Sequence, residues 1–139
     1  MILERFKVTD KIAVVTGGTR GIGLSIAHAL GEAGAKLVVT SRTDKFGGLE
    51  SLQKANYDVS FFEADITDKQ IPQKIIDYTL DKHGSIDILV NNAGVAQHGE
   101  MEEFNDDLLD KIMNINVDAL FRMCRSAITP MKKQGEGVI

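Results

Sequence analysis

The chain has 139 residues, 16 Lys and Arg against 20 Asp and Glu, a net charge of −4 and 43% hydrophobic content, which gives room for about one domain. The balance of apolar and charged residues excludes disordered, collagen-like and coiled-coil classes, and an acidic chain without a basic patch argues against a nucleic-acid partner. The charged N-terminus lacks the apolar core of a signal peptide, no apolar run approaches the roughly 18 residues of a bilayer span, and the single Cys124 suits a reducing compartment, so the expectation is one soluble, cytoplasmic domain over 1–139 with no membrane partner.

The predicted elements alternate between short apolar runs and amphipathic stretches. Ile12-Ala13-Val14-Val15 reads as a buried strand and runs into the glycine-dense Thr16-Gly17-Gly18-Thr19-Arg20-Gly21-Ile22-Gly23. Leu24 to Leu30 reads as a helix stopping at Gly31 or Gly34. Lys36 to Ser41 is a second strand, rich in β-branched residues. A helix-compatible stretch over 44–55 leads to a third strand, Val59 to Ala64. Residues 68–82 carry Ile71, Ile75, Ile76 and Leu80 on one stripe, with Pro72 in the first turn of a helix. Ile86 to Val90 is a fourth strand, 104–134 a long helix, and Val138-Ile139 the opening of a fifth strand. Strands alternating with helices predict an α/β fold, a doubly wound parallel sheet. Right-handed crossovers give the order 3-2-1-4, with the chain ending as its fifth strand starts.

The glycines between the first strand and its helix have a physical use. Backbone without side chains lets a diphosphate approach the helix N-terminus, where free amides and the helix dipole favour negative charge. Gly17, Thr19, Arg20, Gly21, Ile22 and Gly23 are therefore the predicted loop contacts, with Ile22 available to pack under the helix; the bland alternative is a tight turn. A dinucleotide site that binds NAD places an acidic residue after the second strand to take the ribose 2′-hydroxyl. Here Ser41-Arg42 follows, with no carboxylate before Asp44. A guanidinium binds a 2′-phosphate and a serine donates to it, and Arg20 stands in the loop nearby, so NADP (NADPH) is expected over NAD.

The loop resembles the T-G-x-x-x-G-x-G motif of the short-chain dehydrogenase/reductase family, and Asn91-Asn92-Ala93-Gly94 after the fourth strand resembles that family's N-N-A-G signature. The resemblance covers 10–139 and implies a Rossmann fold. It implies that Asp65, with Ile66 beside it, receives the adenine, although Asp65 could instead cap the next helix, where Thr67 or Asp68 is better placed. It also implies that Asn92, Ala93 and Gly94 line the cofactor, and that the function is hydride transfer between the nicotinamide and a carbonyl or alcohol substrate. Of the family's catalytic serine, tyrosine, lysine and asparagine, only the asparagine has a match: Asn116 in Met113-Asn114-Ile115-Asn116-Val117, with Asn114 as the fallback. The other three belong after a fifth strand. A non-catalytic dinucleotide-binding or dimerisation module is the alternative.

Tyr78-x-x-x-Lys82 copies the tyrosine–lysine spacing, but it lies between strands three and four, far from the carboxyl edge, and reads as a solvated helix face. His28, His83 and His98 share no metal-ligand spacing, and no metal is expected. Cys124 reads as a small buried hydrophobe. The fourth strand carries no charge or proline to guard a sheet edge. The last helix has more apolar residues than one stripe can hold. Those two features predict aggregation or pairing with another chain, and the resemblance implies a homo-oligomer, dimer or tetramer.

Overall fold

The computed structural model describes residues 2–139, with side chains from residue 4. Four parallel strands, β1 (Ile12–Thr16), β2 (Lys36–Ser41), β3 (Val59–Glu63) and β4 (Ile88–Val90), lie in the order β3-β2-β1-β4. Helices α1 (Gly21–Glu32), α2 (Gly48–Lys54), α3 (Ile71–His83), α4 (Asp106–Met113) and α5 (Leu120–Gln134) complete the alternation. This is the predicted doubly wound parallel sheet. Register is fixed by Val14 opposite Val38 and Leu89, and by Val39 opposite Phe61.

Strand residues two apart share a face, so β1 and β2 divide their valines between two cores. Val14 and Val38 pack with Ile75, Ile76, Met123 and Ala127 of α3 and α5. Ala13, Val15, Leu37 and Val39 pack with Ala27 of α1 and Leu52 of α2. Burial on both faces is why these strands read as continuous apolar runs rather than alternating ones.

The C-terminal residues run back to the sheet. Val138 bridges Ile88 in parallel, its amide donating to Asp87 O and its carbonyl accepting from Leu89 N, both at 2.9 Å. The start of a fifth strand therefore lies where the sequence puts it, and it covers part of the β4 edge.

Three details depart from expectation. The predicted single helix over 104–134 is broken into α4, a wider π-helical turn Asn114–Ala119, and α5. Helix α3 begins only at Ile71 behind Gln70, because Thr67 turns to Asp65 and the Asp68 carboxylate takes the Gln70 amide at 2.9 Å, so neither is the cap. Tyr78 is half-buried, edge-on to Phe62 at 5.2 Å between centroids, with Lys82 over its outer side. That pair belongs to packing, because an aromatic at this position covers the sheet face instead of meeting water.

Candidate cofactor-binding site

A cleft of about 640 Å³ opens where the carboxyl ends of β1, β2 and β4 meet. In this topology the strand order reverses between β1 and β4, and the loops on either side part there. Thr16, Gly17, Thr19, Arg20, Gly21 and Ile22 form one wall. Ser41 and Arg42, with Asp65 and Ile66, form the β2–β3 end, and Asn92, Ala93 and Gly94 close the other side.

Loop and signature are held together by one hydroxyl and one amide. Thr16, buried at 1% exposure, accepts through Oγ1 from the Asn92 and Ala93 amides, each at 3.0 Å. Asn92 Nδ2 in turn donates to Thr16 O at 3.0 Å and Gly17 O at 3.2 Å. Gly17 turns with φ +66°, a conformation that side chains rarely adopt. Gly23 is buried beneath that turn, and a Cβ there would overlap both Gly17 O and Asn92 Nδ2. The first turn of α1 thus sits directly against the loop, with no room for any residue larger than glycine.

The entrance is cationic. Arg20, Arg42 and Lys45 all line the cleft. Asp44, the nearest carboxylate after β2, faces away: its oxygens accept the Gly48 amide at 2.9 Å and the Leu49 amide at 3.2 Å, capping α2. Ser41 lies at the predicted place, but its hydroxyl donates to Thr43 O at 2.7 Å and pairs with Thr19 Oγ1 at 2.9 Å. Asp65 accepts from the Thr67 amide and hydroxyl, at 2.9 and 2.7 Å. Those two bonds, with the Arg42 charge behind them, hold its carboxyl below the usual carboxylate range.

Ile22 is a correction. It is 75% exposed and lines the cleft rather than packing under α1; the core position beneath the helix is taken by Ala27. Asn116 sits in the π-helical turn and bonds Val95 twice, accepting from its amide at 2.9 Å and donating to its carbonyl at 2.8 Å. A single π turn re-aims a side chain in a way that a regular helix does not. Asn114 instead accepts from Arg122 at 3.4 Å and does not line the cleft. Cys124 is only half-buried and receives a hydrogen bond from Asn91 at 3.2 Å.

Four features of the site escaped the sequence reading. Thr16, Lys45 and Phe46 carry no motif signal beyond the first letter of the loop. Gly48 lies far from any motif, yet its Cα meets the Thr19 carbonyl so closely that a Cβ would collide with it. A glycine opening α2 was the only signal for that contact.

A family profile described as short chain dehydrogenase matches residues 11–139. The chain belongs to the short-chain dehydrogenase family. It is 34% identical over 138 residues to the uncharacterized oxidoreductase YgcW of Escherichia coli, covering 99% of this chain and 53% of that relative. It is 36% identical over 132 residues to the NADP-dependent (R)-specific alcohol dehydrogenase of Lentilactobacillus kefiri, covering 94% and 52%. Among solved short-chain dehydrogenase structures, gluconate 5-dehydrogenase from Burkholderia cenocepacia in complex with NADP and tartrate superposes with a TM-score of 0.89 at 30% identity, covering 99% of this chain and 55% of that one. The 3-oxoacyl-[acyl-carrier protein] reductase from Brucella melitensis in complex with NAD gives 0.83 at 32%, covering 92% and 51%. The chain therefore spans about half the length of the relatives it matches. No helix among the described residues is long and apolar enough to cross a membrane, and no group of three metal-ligating side chains occurs among them.

Proposed function

We propose that residues 1–139 form the cofactor-binding domain of an NADP-dependent oxidoreductase that moves a hydride between the nicotinamide and a carbonyl or alcohol. The observation that carries this reading is the charge arrangement at the β2 end of the cleft: Arg20, Arg42 and Lys45 line it, while Asp44 is occupied as a cap. A dianionic 2′-phosphate gains from such a wall, and a ribose diol finds no acidic partner there except Asp65. When bound, the cofactor supplies hydride chemistry. The chain's own residues hold it: the Gly17 and Gly18 amides are bonded to Thr40 O at 2.7 and 3.3 Å, and the amides that follow them take the diphosphate at the N-terminus of α1. Asp65 and Ile66 flank the adenine, and Asn92, Ala93 and Gly94 border the ribose.

Asn116 is the catalytic residue of this reading. Its two bonds to Val95 leave one amide hydrogen and one oxygen lone pair free for a water that relays protons. The working unit is a homo-oligomer in the cytoplasm, paired through the α4–α5 face. Leu109, Met113, Phe121 and Ile128 expose there far more apolar surface than a free helix should. The deciding experiment is calorimetry of the purified protein with NADPH and NADH. Tighter NADPH binding is expected, and equal or reversed preference would overturn the assignment.

A further inference from the structure

We propose that Phe46 is a specificity-determining residue: its ring backs the Arg20 guanidinium and holds that charge on the cleft wall shared with Arg42 and Lys45, so NADPH gains from the ring and NADH does not. The inference rests on the NADP reading above and adds to it a residue outside the glycine loop and outside the β2 end.

Phe46 is a large apolar side chain left 74% exposed, and it belongs to neither core cluster. A lone exposed apolar side chain is ordinary in itself; what singles out Phe46 is that its ring lines the cleft beside a cation. Among the described residues its ring meets Arg20, whose Cζ lies 5.8 Å from the ring centroid, inside the range where a guanidinium is attracted to an aromatic face. Among the described residues Arg20 forms no ion pair. A carboxylate could hold the arginine as firmly, but it would repel an incoming phosphate; a ring orients the cation without adding negative charge.

The ring stands on an anchored segment. The Lys45 amide donates to Thr43 Oγ1 at 3.1 Å, and Asp44 is bound to Gly48 and Leu49. Gly48 lies against the Thr19 carbonyl, one residue before Arg20. The segment that presents Phe46 is therefore fastened to the loop that presents Arg20, which fixes the spacing between ring and cation.

Kd values for NADPH and NADH, read from calorimetry and nicotinamide fluorescence, test this with Phe46→Leu and Phe46→Tyr. Leucine keeps apolar bulk and removes the π face, while tyrosine keeps both. An exposed contact of this kind is worth about a two- to fivefold change in Kd. Phe46→Leu is expected to weaken NADPH by that factor and leave NADH unchanged. Phe46→Tyr should match the parent, and in an Arg20→Gln background Phe46→Leu should have no further effect. Equal weakening of both nucleotides would overturn the inference, because the ring would then serve the adenosine they share. So would an unchanged NADPH Kd in Phe46→Leu while Arg20→Gln still weakens it, and that outcome leaves the NADP reading standing. A parent protein that shows no NADPH preference would overturn both.

Discussion

Replacing Thr16 by valine isolates the hydroxyl that joins the two sequence motifs. The side chains have nearly the same shape, and Thr16 is buried, so no cavity forms and no backbone preference changes. What disappears is the acceptor for the Asn92 and Ala93 amides and a weak donor to Val90 O at 3.4 Å. The Asn92 amide keeps Val90 O at 3.1 Å, so one part-buried amide, that of Ala93, loses its partner, at a cost of about 1–3 kcal/mol, offset in part by the apolar gain of a methyl. The net loss is about 1–3 kcal/mol, a sizeable share of a typical domain's stability, and about 6 °C in melting temperature for a chain of this length. Thr16→Ser keeps the hydroxyl and gives up one methyl, so it should lose only about 1 kcal/mol. Thermal and urea denaturation of the three proteins, with NADPH titration of each below its transition, reads both consequences. A valine variant that melts within about 2 °C of the parent and binds NADPH unchanged would show that the hydroxyl does not hold the loop to the signature.

Arg42→Asp places a carboxylate where a 2′-phosphate would lie, and should reverse preference from NADPH to NADH in calorimetry; unchanged selectivity would remove Arg42 from that subsite. Acid should destabilise the fold in two stages. Burial holds the His83 imidazole below its ordinary 6.5, and its Nε2 has no hydrogen-bond partner among the described residues, so the unfolded chain takes up that proton first. His83-linked stability is present above pH 6.5 and declines as the pH falls below it; Asp65, held below its ordinary 3.8 chiefly by Thr67, contributes stability lost only at more acidic pH. Denaturation midpoints between pH 7.5 and 5.0 should therefore fall in the parent and stay flatter in His83→Gln. Phe121→Glu, at a position 60% exposed on α5, should lower the mass seen in light scattering if that face pairs chains; an unchanged mass would place the contact elsewhere.

The alternating architecture was legible because parallel strands covered on both faces must be apolar at every position. Val14 and Val15 point to opposite cores and are both fully buried. Glycine spacing was legible because only glycine tolerates the turn at Gly17 and the contact beneath Gly23. The end of helix α1 was ambiguous between Gly31 and Gly34, and tertiary contact decided it: Gly31 lies under the Tyr57 ring, whereas Gly34 takes φ +97° after the helix ends. The π turn at 114–119 had no local signature, since Asn116 is pulled round by Val95, 21 residues away. Ile22 was misread for a similar reason. Its apolarity is real, but the fold puts it at the exposed rim of the cleft and gives the core position to Ala27.

The two motifs also turn out to be one structure. Read separately, the glycine loop answers to a phosphate and the Asn-Asn-Ala-Gly run to a ribose. In the fold, Asn92 spends its amide nitrogen on the carbonyls of Thr16 and Gly17, which orients the loop's first peptides and leaves the amides that follow free for an anion. That explains why the asparagine has to lie directly beyond β4. Strand β4 pairs with β1 through Val15 opposite Val90, so the two strand ends emerge side by side, and a longer connection would carry the amide past its acceptors. Asn92→Asp keeps the size but places oxygen against oxygen at both carbonyls, so it should disturb the loop more than Asn92→Ala, which merely leaves them unpaired. If the aspartate variant bound NADPH better than the alanine variant, Asn92 would be acting on the cofactor directly and not through the loop.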